Sequence, residues 1–191
     1  EYVVAQLWEF VGTLEKLTGR PFDEPRFKES IRRSGEAWEL WRRCLEMGKL
    51  RPTPFDAYFE SIYYMAPITF ARGSEACVAF YRTLLDELER RADAGVGPTA
   101  EERYRLVLEG VPNYPFFKRF WGLFREHNAR GVASTYPKVA GMVDTNSFRL
   151  DPARPMESLA EYMIHAYCNW NMPLRTRLIE RYVREYAADG V

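Results

Sequence analysis

Apolar residues recur at spacings of three and four along most of the chain, and this pattern predicts helices. Val4, Leu7, Trp8, Val11, Leu14 and Leu17 form such a stripe and Thr18-Gly19 ends it, which predicts an amphipathic helix over residues 2–18. Phe22-Asp-Glu-Pro25 then supplies a cap, first-turn acidity and an early proline. Phe27, Ile31, Trp38, Trp41 and Leu45 carry a second, long helix to about Lys49. Arg51-Pro-Thr-Pro54 stops it. Thr53 is placed to cap a third helix, Phe55 to about Tyr64, with Pro67 interrupting or kinking the chain beyond it. Gly73-Ser74 opens a fourth, which buries Cys77, Phe80, Tyr81, Leu84, Leu85 and Leu88 on one face.

Asp93-Ala-Gly-Val-Gly-Pro98 is the clearest boundary, and beyond it the pattern changes. Leu106-Val-Leu108 reads as a short strand within 104–109, and Glu109-Gly-Val-Pro-Asn113 is turn chemistry. Phe116, Phe117, Phe120, Trp121 and Phe124 then fall at helical spacing within a helix over 114–127, with Asn113 as its N-cap and Pro115 in its first turn. A second strand is expected near 131–135, then a long loop to Pro155, and helices from Met156 to about Cys168 and from Pro173 to Ala188. Strands joined by a helix run parallel with a right-handed crossover. The expected class is therefore α/β: a helical subdomain over 1–95, then an incomplete flavodoxin-like or Rossmann-like parallel-sheet domain over 96–191. Ala187-Ala-Asp-Gly190 resembles a helix exit leading into a further strand, so the chain is expected to be a piece of a longer one.

Charge and cysteines narrow the function classes. The 27 basic and 27 acidic residues among 191 cancel, so no bulk field directs the chain to nucleic acid or an acidic membrane. No run of about 18 apolar residues suits a membrane span. Cys44, Cys77 and Cys168 are far apart and form no disulfide framework, which suits reduced thiols in the cytoplasm. Cys44 and Cys77 fall on amphipathic helices and read as core.

Candidate chemistry gathers at the carboxyl ends of the two expected strands, where parallel sheets place ligands. Gly110 lets backbone approach a ligand there, though the loop is neither a P-loop nor GxGxxG and equally suits a plain tight turn. A parallel pair brings Ser134, Thr135 and Tyr136 to the same rim as Glu109, Asn113 and Tyr114. Glu109 and Tyr136 are the candidate catalytic groups: Glu109 as a proton relay on the condition that burial raises its pKa, and Tyr136 as a hydrogen-bond donor. Asn113, Tyr114, Ser134 and Thr135 are the candidate substrate contacts, with Tyr114 able to stack on an aromatic group. The loop over 137–154, with Gly141, Asp144, Asn146 and Asp151, is long enough for a lid or for a plain connection. His165 and Cys168 share a helix face as two metal ligands would, but lack a second pair, which favours a buried thiol and a partly buried His. Arg175, Arg177, Arg181 and Arg184, with Lys118, Arg119 and Arg125, could meet phosphate or carboxylate groups, or simply line solvated helix faces.

Four strings carry a wider resemblance: Leu108-Glu-Gly-Val-Pro-Asn-Tyr-Pro-Phe-Phe-Lys-Arg-Phe-Trp121, Gly131-Val-Ala-Ser-Thr-Tyr136, Pro155-Met-Glu-Ser-Leu-Ala-Glu-Tyr162 and Arg181-Tyr-Val-Arg-Glu-Tyr-Ala-Ala-Asp-Gly-Val191. With Leu14-Glu-Lys-Leu-Thr-Gly19, they resemble the benzoyl-CoA reductase and 2-hydroxyacyl-CoA dehydratase family over nearly the whole chain. The Pro-Asn-Tyr-Pro turn and the Ala-Ser-Thr-Tyr loop are most similar to its B-type catalytic subunits of ATP-dependent reductases. The resemblance implies an acyl-CoA substrate, a homologous catalytic partner subunit, a 4Fe-4S cluster and a separate ATP-hydrolysing iron–sulfur electron donor. It further implies reduction of an aromatic ring to a cyclic dienoyl-CoA, or in the dehydratases loss of water from a 2-hydroxyacyl-CoA. The family's cluster cysteines match none of Cys44, Cys77 and Cys168 convincingly, so no metal ligand is assigned here and this piece alone should be inactive. A non-enzymatic docking module on an α/β scaffold is the alternative of a different class.

Overall fold

The computed structural model describes residues 1–63, 70–139 and 148–191. Pro67, Tyr64, Gly141, Asp144 and Asn146 lie outside the described residues. The first helix, α1 (Tyr2–Thr18), closes on Gly19 in the left-handed conformation at φ 65°. None of its residues is buried, although its apolar stripe faces α7 (Pro155–His165) across a groove of about 420 Å³ lined by Leu7, Val11, Leu14, Phe27 and Met156.

The long helix α2 (Glu24–Glu46) starts where Asp23 accepts a hydrogen bond from the Arg26 backbone N–H at 2.9 Å, and a 3₁₀ turn extends it over Met47–Lys49. It packs along α4 (Glu75–Asp93), itself capped by Ser74, whose Oγ accepts from the Cys77 N–H at 3.2 Å. Between them lies the first core: Ala37, Trp41, Cys44 and Leu45 meet Cys77, Tyr81, Leu85 and Leu88, with Phe55 set edge-on against Trp41 at 5.8 Å between ring centroids. The third helix, α3 (Ala57–Tyr63), is shorter than expected at its start and is not capped by Thr53. The Thr53 hydroxyl instead donates to the Phe55 carbonyl at 2.5 Å, while Asp56 accepts from the Phe59 N–H at 3.4 Å. An Asx group next to the first turn outcompetes a threonine farther back.

Two parallel strands come next, β1 (Tyr104–Leu108) and β2 (Ala129–Ser134), paired from Tyr104↔Ala129 to Leu108↔Ser134 with a register shift after Leu106. On the other side of β1, Leu106 bridges Gly190 in parallel, and the Val107 N–H donates to the Gly190 carbonyl at 2.9 Å. The exit at Ala187–Gly190 thus does enter the sheet, and β1 is flanked on both sides. The crossover from β1 to β2 runs through a 3₁₀ turn (Tyr114–Phe116) and α5 (Phe117–Glu126). The continuous helix expected over 114–127 opens instead with the 3₁₀ turn, in which the Phe117 N–H donates to the Tyr114 carbonyl, and becomes α-helical at Phe117.

Beyond β2 a four-residue helix, α6 (Tyr136–Val139), and α7 lead to another 3₁₀ turn (Tyr167–Asn169) and to α8 (Met172–Glu185), capped by Asn171. The second core joins Val107, Val132 and Ala133 of the sheet to Tyr167, Leu178, Tyr182 and Tyr186. α3 lies close over β2, and only a glycine fits beneath it: a Cβ on Gly131 would stand 2.7 Å from that of Ala57.

The helical region and the sheet meet around Arg105. This side chain is 1% exposed, and its guanidinium donates to the carbonyls of Tyr186 at 2.9 Å, Leu50 at 3.1 Å and Gly48 at 2.6 Å, and to the Glu102 carboxylate. Four acceptors from three segments leave this buried charge well satisfied. Gly48 is pressed so close to β2 that a Cβ there would lie 2.1 Å from the Val132 carbonyl oxygen.

Candidate functional site at the carboxyl rim of the sheet

The parallel pairing brings the two strand exits together as the alternation of strand and helix requires. The Thr135 N–H donates to the Leu108 carbonyl at 3.0 Å, and the Thr135 Oγ accepts from the Gly110 N–H at 3.2 Å, lacing one loop to the other. Gly110 takes φ 95°, a conformation that favours glycine. Glu109, Asn113 and Ser134 border one cleft of about 160 Å³, together with Ser61, Phe120 and Trp121. Tyr114 and Tyr136 stand edge to face at 6.1 Å between centroids, and Tyr114 stacks on Phe117 at 5.6 Å. The Tyr114 hydroxyl donates to the Ser61 carbonyl at 3.3 Å, tying the rim to α3. Ser134 and Thr135 are buried, and the Ser134 Oγ accepts from the Tyr136 N–H at 3.1 Å. Glu109, Ser61, Ser134 and an aromatic wall of Phe120 and Trp121 thus surround one small cleft, while Tyr114, Thr135 and Tyr136 stand beside it without lining it.

Several expectations need correcting. Asn113 is exposed and makes no side-chain capping bond, because Pro115 has no N–H to offer and the Phe116 N–H donates to the Asn113 backbone carbonyl at 3.2 Å. Glu109 is exposed rather than buried, because β1 ends at Leu108 and the carboxylate projects past the last sheet pairing. β2 begins two residues before Gly131 and stops at Ser134. His165 and Cys168 do not share a helix face: α7 ends at His165 and Ala166 turns to φ −54°, ψ 136°. Cys168 is consequently exposed, not buried, while Cys44 and Cys77 are buried as expected. Burial pushes the Cys44 thiol up to about 12 and raises that of Cys77, which keeps both protonated and inert. Arg175 faces its own chain rather than a ligand, donating to the carbonyls of Trp170 at 3.1 Å and Cys168 at 3.0 Å.

Tyr167 is the residue of this site that the sequence pattern conceals. As part of a continuous helix it would have no reason to face the sheet, yet the break at Ala166 turns it inward to the second core. Its hydroxyl donates to both Glu109 carboxylate oxygens, at 2.9 and 3.0 Å. Burial, and then the neighbouring Glu109 charge, push its ionisation up to about 12, so it stays a donor at neutral pH. The available signal was the cluster of helix-stopping residues Asn169, Asn171 and Pro173 immediately downstream.

A 4Fe-4S cluster does not fit the side chains present. Among the described residues no three His, Cys, Asp or Glu side chains converge as metal ligands, and two of the three thiols are locked in the helical core. Nor, among the described residues, is any helix long and apolar enough to cross a membrane.

Comparison with known proteins places this geometry in context. The chain is 42% identical over 199 aligned positions to the benzoyl-CoA reductase B subunit of Thauera aromatica, covering 100% of this chain and 46% of that protein. It is 28% identical to the (R)-phenyllactyl-CoA dehydratase alpha subunit of Clostridium sporogenes (76% of this chain, 36% of that one). It is 30% identical to the (R)-2-hydroxyisocaproyl-CoA dehydratase alpha subunit of Clostridioides difficile (72% of this chain, 34% of that one). The chain therefore spans half or less of the length of these relatives. The profile of the family described as 2-hydroxyglutaryl-CoA dehydratase, D-component, matches residues 1–191, and the chain belongs to that family.

Proposed function

We propose that the chain is part of a catalytic subunit that reduces the aromatic ring of benzoyl-CoA to a cyclic dienoyl-CoA, with residues 1–95 as its helical domain and 96–191 as its α/β domain. The observation that carries this is the 42% identity to a benzoyl-CoA reductase subunit over the whole chain, against 26–30% for dehydratase subunits. The reaction consumes two electrons and two protons per ring. A thioester carbonyl conjugated to the ring accepts the incoming charge, and the protein's task is to hold the ring, exclude water and bring protons.

In this proposal the rim faces the acyl group. Glu109 and Tyr136 are the catalytic groups, Glu109 passing a proton towards the ring and Tyr136 donating a hydrogen bond at the acyl end. Asn113, Tyr114 and Ser134 hold the substrate, with buried Thr135 supporting their loops from behind, and the Phe120–Trp121 wall of the cleft, beside the stacked Tyr114 and Phe117, suits a flat ring. Electrons reach it from outside these residues: the proposal includes a 4Fe-4S cluster with ligands elsewhere in the complete cytoplasmic protein, a homologous catalytic partner, and an ATP-hydrolysing iron–sulfur donor. Glu109→Gln and Tyr136→Phe in the complete enzyme should each lower turnover without loss of folding; unchanged turnover and affinity would remove those residues from the site.

One observation favours a second reading. The family that matches all 191 residues is described by a dehydratase component, which suits elimination of water from a 2-hydroxyacyl-CoA. Anaerobic assays of the complete protein with its partner subunits separate the two: consumption of benzoyl-CoA with an ATP-coupled donor supports reduction, and enoyl-CoA formation from a 2-hydroxyacyl-CoA supports dehydration. A well-folded assembly that binds neither iron nor acyl-CoA would favour a docking module instead.

A further inference from the structure

Glu109 is the exposed partner of a hydrogen bond that comes from the protein interior. The Tyr167 hydroxyl donates to both oxygens of Glu109, and the loop that carries Glu109 is laced from behind, where the Gly110 N–H donates to the Thr135 Oγ. Thr135 is fully buried and Tyr167 is 4% exposed, so both supports are shielded from solvent. A carboxylate at a strand exit would ordinarily sample several rotamers. One bonded through both oxygens to a buried phenol is held in one place.

The turn that carries Tyr167 is itself over-determined. The Trp170 indole N–H donates to the His165 carbonyl at 2.9 Å, and the Asn169 amide donates to the Met163 carbonyl at 2.8 Å. Arg175 donates to the carbonyls of Trp170 and Cys168 from the first turn of α8, and its guanidinium sits 4.9 Å from the centre of the Tyr167 ring. Three side-chain donors thus fix one three-residue turn. The feature that most depends on their precision is where the Tyr167 hydroxyl stands.

We propose that Tyr167 is a positioning residue of the reaction: through its hydroxyl it fixes the Glu109 carboxylate at the cleft, and Arg175, Asn169 and Trp170 form the brace that keeps it there. The assignment rests on the proposed role of Glu109 and names the support that role requires. Arg175 accordingly serves the site from behind and does not meet ligand.

A double-mutant cycle on the complete, assembled enzyme tests this, using benzoyl-CoA consumption as the readout and thermal melting to verify folding. Tyr167→Phe keeps the ring and its packing but removes the donor, and kcat/KM should fall about tenfold, chiefly in kcat. Glu109→Gln should fall at least as far. The double variant should be no slower than Glu109→Gln alone, because Tyr167 acts only through Glu109. Losses that add in the double variant, or a Tyr167→Phe enzyme as fast as wild type beside an impaired Glu109→Gln, would overturn the positioning role while leaving the rim as the site. A Glu109→Gln enzyme with wild-type kinetics would instead overturn the catalytic reading of the rim, and this inference with it.

Discussion

Arg105 and Glu109 sit four residues apart on and just past the same strand, and the chain treats the two charges in opposite ways. Around Arg105, three carbonyls and a carboxylate of the protein itself consume the guanidinium's donors, and the side chain is closed off from water. Around Glu109, among the described residues, a single phenol bonds the carboxylate from behind and the side chain stays exposed at a cleft. The amino half of the sheet is therefore a joint between the helical region and the strands. The carboxyl rim sets a braced carboxylate at the mouth of a cleft, which is what a binding or catalytic edge requires.

The sharpest way to break the comparison is to remove the joint. Arg105→Met should destabilise the protein by about 3–5 kcal/mol in denaturant unfolding, since it strands a buried carboxylate and three carbonyls. A loss below about 1 kcal/mol would mean that the network is ornamental. Next in size, Gly48→Ala should cost about 1–3 kcal/mol, because the added Cβ collides with backbone, which cannot swing aside. The rim should respond more weakly in stability. Tyr167→Phe should shift unfolding by about 1 kcal/mol or less at neutral pH and act mainly on turnover.

The pH dependence of that last variant has a definite sign. An ordinary tyrosine ionises near 10 and Tyr167 near 12 when folded. Between those values the unfolded chain has lost a proton that the folded chain keeps. Stability from this group is therefore complete below about 10 and is lost as pH rises through about 12. Followed by ultraviolet absorbance, wild type and Tyr167→Phe should show the same tyrosinate amplitude below about pH 11, with the missing residue evident only above it. A smaller amplitude in the variant already below about pH 11 would place the Tyr167 hydroxyl in an ordinary environment.

Much of this was legible in the sequence. Regular spacing marks α2, α4 and α8 because a single buried stripe dictates it, and marks α1 by an apolar stripe that stays unburied; the chemistry of Asp23, Ser74 and Gly19 marks ends of these helices. The rim was legible too: once β1 and β2 are read as parallel, Glu109 and Ser134 have to emerge at the same edge. Tyr167 was not, because its role depends on a one-residue break at Ala166 that carries neither glycine nor proline. Arg105 was hidden for a related reason. At period two Arg105 shares a face with Val107, but a charged side chain there gives no sign of its partners, and the approach of Gly48, Leu50 and Tyr186 from distant segments is what satisfies it in the interior. Local pattern reports which face a residue takes and is silent on what later covers that face.

The most direct test of a ligand-facing rim is backbone hydrogen–deuterium exchange of the complete, assembled enzyme with and without saturating benzoyl-CoA. The account predicts new protection in peptides spanning 109–114 and 134–136, with peptides over 47–50 and 102–105 unchanged because the joint is already closed. Saturated binding with protection elsewhere and none at 109–114 or 134–136 would contradict it.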